Sequence, residues 1–94
     1  MSYQLMIKPG SKLVPNGAVK VNEDTPINIG QHVKIGVDFG KGSEIFWAIV
    51  VDKSAIDLNR FLVCIDQDLE LTRWHGLSDK DELVVERKHI SYVL

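Results

Sequence analysis

The stretch Gln31–Phe39, QHVKIGVDF, constrains the fold more than any other. Val33, Ile35, Val37 and Phe39 fall on one side of it, with His32, Lys34 and Asp38 on the other. That period of two belongs to a half-buried strand. Gly40-Lys41-Gly42 then turns the chain, and Glu44–Asp52 is almost entirely apolar, β-branched or aromatic. Such a run suits a central strand buried on both faces, and Trp47 within it is expected to help build the core.

The remaining segments repeat the same alternation of strand and turn. Tyr3–Ile7 reads as a short strand closed by Pro9-Gly10. Leu13-Val14 and Ala18–Val21 flank Pro15-Asn16-Gly17, a turn signal for a small hairpin. Asn22–Pro26 is a loop, rich in side chains that bond their own backbone. Ser54–Asn59 is a connector, a single helical turn at most. Arg60–Asp66, Glu82–Arg87 and Ile90–Leu94 complete the strands, and Leu77–Leu83 carries four charges in a row that mark a solvated turn. No stretch shows a helical stripe.

A chain of 94 residues makes one domain. Residues 1–26 form an N-terminal strand and hairpin extension, and residues 27–94 the barrel core. The expected fold is mostly β: a small SH3-like barrel or a strongly bent antiparallel sheet, since closure protects strand edges in so small a chain. Its predicted core is Val33, Ile35, Phe46, Ile49, Val63, Ile65 and Val84.

A formal charge of −2 lacks the electrostatic footprint of a nucleic-acid binder. The single cysteine, Cys64, permits no intrachain disulfide, and within Phe61–Ile65 it is expected to behave as a small buried hydrophobe. The longest apolar runs are far shorter than a membrane span and no secretory signal is visible, so the expected location is the cytoplasm.

Catalytic and metal motifs are weak. Gly40–Glu44, GKGSE, lacks the spacing of a phosphate loop and no helix follows it; a hairpin turn explains it. Asp66 and Asp68, with His75, are the one set that invites a divalent ion. Turn capping by the two aspartates is the simpler reading. His32 and His89 are expected at the surface or at strand edges. No serine, threonine or cysteine sits in a nucleophile motif. Neither a metal nor a cofactor is predicted.

Trp74 differs from Trp47. It follows Thr72-Arg73 and precedes His75-Gly76 in a polar setting. Two readings stand side by side. Tryptophan beside arginine is the pairing enriched at interface hot spots, and a small barrel also needs an aromatic lid over its open end.

From residue 29 to the C-terminus, Gly30, Val33, Lys34, Glu44, Trp47, Asp66, Asp68, Leu69, Gly76 and His89 follow one another in a recognisable order. That order is similar to small bacterial and phage-borne domains that resemble the YegJ-like family of unknown function. Gln67 stands where those domains have asparagine, and Lys80-Asp81 replaces their Gly-Asp turn. The resemblance implies a barrel and a bacterial or phage setting. It implies no activity.

Together these features describe a non-enzymatic protein-binding module, of the immunity, inhibitor or phage anti-defence kind. Arg73, Trp74 and His75 are the predicted contact loop. Asp79 and Asp81, with Glu82, would steer the domain towards a partner with a basic surface. The alternative is a barrel that sequesters a small ligand or nucleotide, stacking a base on Trp74 and holding a phosphate with Arg73. Homo-oligomers are compatible with either.

Overall fold

The computed structural model describes residues 2–10 and 14–94. The elements are strands β1 (Gln4–Leu5), β2 (Val19–Lys20), β3 (His32–Asp38), β4 (Ser43–Lys53) and β5 (Arg60–Ile65), a short helix α1 (Thr72–His75), β6 (Glu82–Glu86), a 3-10 turn (Arg87–His89) and β7 (Tyr92–Val93). All seven strands join one antiparallel sheet, ordered β2-β7-β3-β4-β5-β6, with β1 on the second half of β3. The fold is mostly β, as the alternation predicts. It is not closed into a barrel: among the described residues β2 and β6 remain edges.

The sheet nevertheless has to curl. Lying flat, it would hold β6 and β7 four strand spacings apart, about 19 Å. Only residues 87–91 connect them, and three of these are in the 3-10 turn. Such a link reaches about 16 Å. Curvature also comes from a bulge in β4, where the register with β5 slips between Val50 and Asp52. One face thereby becomes dry. Val33, Ile35 and Val37 of β3, Phe46, Ala48 and Val50 of β4, and Phe61, Val63 and Ile65 of β5 line it, together with Leu83, Val85 and Ile90.

Four core expectations are corrected by this pairing. Phe46, Ala48 and Val50 point inwards, so Ile49 and Trp47 take the outer face and are half-buried. There the Lys34 ammonium lies 4.9 Å from the Trp47 ring centroid. Leu83 and Val85 fill the core from β6, which leaves Val84 59% exposed. Period two allows only one parity inside, and Glu82 and Glu86 share the parity of Val84. Cys64 likewise faces outwards and is half-buried.

The N-terminal segment is built into the sheet rather than appended to it. Val19-Lys20 pairs with the C-terminal strand β7, not with Val14, so the expected hairpin does not form; its Leu13 lies outside the described residues. The turn is present, with Ala18 N–H bonded to Pro15 C=O at 3.1 Å. Gly36 makes room for the crossing of the N-terminal segment: a Cβ there would meet Met6 Sδ at 2.9 Å and Pro9 Cβ at 3.2 Å.

Candidate functional site

The Gly40–Gly42 turn joins β3 to β4, as expected of a hairpin, with Phe39 N–H bonded to Gly42 C=O at 3.0 Å. It places Phe39 and Lys41 beside α1. Glu44, one residue into β4, shares the inward parity of Phe46 and therefore points under that helix. Its carboxylate accepts three hydrogen bonds: from Glu70 N–H at 2.8 Å, Leu71 N–H at 3.1 Å and His75 Nε2 at 2.8 Å. Burial works against this charge, yet the bonds from His75 and the two backbone amides outweigh it and hold the carboxyl below the usual glutamate value. Leu77 N–H donates to His75 Nδ1 at 3.0 Å, so the ring proton is assigned to Nε2, aimed at Glu44.

His75 is thus a buried strut and not a contact residue, which corrects its place in the predicted loop. Its side chain is 0% exposed and that of Glu44 only 10%. Both ring nitrogens are occupied, and Asp66 is engaged elsewhere, accepting from His32 Nε2 at 2.9 Å and Lys80 Nζ at 3.0 Å. Those two bonds pull the Asp66 carboxyl below its ordinary value. Among the described residues no group of three or more metal-ligating side chains comes together.

Above this strut sits Trp74. The segment is a single helical turn where a loop was expected; Gly76, at φ +82°, ends it and bonds Thr72 C=O at 2.7 Å. The left-handed backbone at that point favours glycine. The Trp74 ring lies parallel to Phe39, 6.5 Å between centroids and 6° between planes. Phe39 also meets His75 edge-on at 5.8 Å. Lys41 and Arg73 each approach the Trp74 ring to 5.2 Å. Trp74 itself is 39% exposed. One part of the ring therefore packs on Phe39 and the rest faces solvent beside two cations.

Asp79 and Asp81 belong to the neighbouring turn rather than to this cluster of contacts. Asp81 accepts from Ser78 N–H at 3.0 Å, and Asp79 lies 3.7 Å from Lys80. Phe39, Lys41 and Glu44 join Trp74 and His75 here, although the sequence placed none of them with the contact loop. Glu44 alone carried a signal: its parity on β4 is that of the buried residues.

A cleft of about 490 Å³ on another face is lined by Lys8, Arg87 and Lys88. Two of its cations are already used in holding the fold. Lys8 Nζ donates to the carbonyls of Val21, Arg87 and Ile90, and Arg87 Nη1 to those of Asn22 and Thr25. Burial, then Arg87 and Lys20 nearby, depresses the Lys8 pKa.

Comparison of the chain with family models, with curated proteins and with solved structures finds no match. Among the described residues no helix is long and apolar enough to cross a membrane.

Proposed function

We propose that this chain is a non-enzymatic protein-binding module that docks through Trp74 and Arg73, with Lys41 and Phe39 completing the platform. The observation that carries the reading is the part-exposed Trp74 ring stacked on Phe39 with two cations beside it. A fixed aromatic loses little entropy on docking, and guanidinium brings several directed donors. Lys41 and Arg73 make the charge beside the ring positive, so the partner face opposite it is acidic, in place of the basic surface expected from Asp79 and Asp81, which lie in the neighbouring turn. An inhibitor, immunity or phage anti-defence role fits a small rigid domain that acts by occupying a surface.

The proposal includes the finer fold. Strands in the order β7-β3-β4-β5-β6, with a 3-10 turn ahead of the last, support an SH3-like arrangement left open at β6. The nucleotide-sequestering alternative is weaker on this geometry, because a base stacking on Trp74 would have to displace Lys41 or Arg73.

The test is affinity capture from the native host with wild-type and Arg73→Ala baits, quantified by mass spectrometry. A protein enriched on the wild type and lost on the folded variant supports the reading. Identical capture profiles would refute it.

A further inference from the structure

We propose that the free edge of β6 takes up an extended basic peptide as an added strand: an apolar residue with Lys or Arg two positions to either side. This goes beyond the Trp74 platform and does not depend on it.

The backbone identifies the free groups. Ile65 N–H bonds Asp81 C=O and Arg87 N–H bonds Asn59 C=O, each at 2.8 Å. Antiparallel ladders alternate, so Leu83 and Val85 bond to β5 while Glu82 and Val84 direct their N–H and C=O groups away from it. No described strand lies on that side. The usable edge is short. His89 Nδ1 takes the Glu86 N–H at 3.0 Å, and Lys80, at φ +74°, breaks the extended backbone at the other end.

The side chains select the occupant. Val84 projects from the outer face next to Leu62, where the two help bound a shallow cleft of about 190 Å³; Lys53 and Arg60 line its β4–β5 side, away from the free edge of β6. Glu82 and Glu86 flank Val84 at the same parity; Glu86 lies across from Arg60 and makes an exposed ion pair with Lys88 at 3.7 Å, worth little in water, so Glu82 is the freer acid. A second copy pairing about Val84 would set Glu82 of one chain against Glu86 of the other at both ends, and like charges directly opposite destabilise a sheet. These acids guard the edge against self-pairing. A strand carrying cations at those two positions converts both repulsions into attractions, and its apolar residue lies against Val84. Strand addition of this kind draws affinity from the main chain and specificity from alternate side chains.

The test titrates the blocked peptide Thr-Lys-Thr-Val-Thr-Lys-Thr into the isotope-labelled full chain and follows backbone amide signals. Shifts confined to β6 and β5, with slowed exchange of the Val84 amide, are expected. The charge-reversed peptide Thr-Glu-Thr-Val-Thr-Glu-Thr should bind roughly tenfold more weakly, from two cross-strand pairs changing sign. Val84→Pro removes the free N–H without touching the β5 ladder and should abolish binding in a folded chain. Glu82→Lys, an exposed change, should weaken binding about threefold or more and serves if the proline variant does not fold. Equal binding of both peptides, no binding at millimolar concentration, or shifts centred on Trp74 would overturn the proposal. So would β6 shifts that appear on raising protein concentration alone, since a second copy would then be the occupant.

Discussion

Removing the Glu44 carboxylate should loosen the Trp74 platform from below, and the structure sets the size of the effect. In Glu44→Ala, the Glu70 and Leu71 amides and the His75 Nε2–H lose their acceptor together. The imidazole is fully buried, so water cannot readily replace the lost partner. Leaving three donors without their acceptor, the fully buried imidazole N–H among them, costs about 3–5 kcal/mol in all, at ~1–3 kcal/mol for an unsatisfied buried group and less for an amide that water reaches. A small domain has ~5–15 kcal/mol in all, so the variant should be visibly marginal. Glu44→Gln keeps Oε1, which serves both His75 and Leu71, and forfeits only the bond to Glu70. It should cost about 0.5–1.5 kcal/mol, the net worth of one hydrogen bond from an exposed amide that water can reach. Urea unfolding of the three proteins measures this, with the midpoint moving and the slope unchanged. A Glu44→Ala protein within about 1 kcal/mol of wild type would refute the strut. So would a glutamine variant as weak as the alanine one.

Phe46→Ala empties a fully buried site and should cost ~3–5 kcal/mol in the same assay. Val84→Ala, on the solvent face, should stay within about 0.5 kcal/mol of wild type; a larger loss would return Val84 to the core. Burial, opposed by Glu86 and reinforced by Lys88, lowers the His89 pKa, and its Nδ1 must stay unprotonated to accept the Glu86 N–H. That contribution is complete above about pH 6.5 and is lost as pH falls through the lower folded value. The Glu44 contribution follows the same sign at lower pH, complete above about 4.3 and lost beneath it. Melting temperature against pH should therefore decline in two steps, and His89→Gln should lack the first.

The sheet was legible because alternation is a local property. QHVKIGVDF and the apolar run after Gly40-Lys41-Gly42 marked β3 and β4 to within a residue or two. Parity was harder where three apolar residues adjoin. Leu83-Val84-Val85 offers either face, and only the flanking Glu82 and Glu86 fix the phase. Pairing was legible only across the tight Gly40–Gly42 turn, which joins β3 to β4; β2 chose the C-terminal strand because residues 87–91 bring β7 around the core. The site was half visible. Arg73 and Trp74 stood out as residue types, but His75 looked polar and solvent-facing because its partner, Glu44, is remote in sequence. Lys41 reaches Trp74 only through the hairpin turn.

The central claim is that Trp74 is a contact surface resting on a strut that does not need it. The decisive measurement is melting temperature and partner affinity on the same Trp74→Ala protein. Losing the Phe39 stack should cost about 0.5–1.5 kcal/mol of stability, leaving the domain folded. Partner affinity should fall by ~2 kcal/mol or more, about thirtyfold. An early-melting protein whose binding loss merely tracks unfolding would make Trp74 a lid, and unchanged affinity in a stable variant would contradict the account outright.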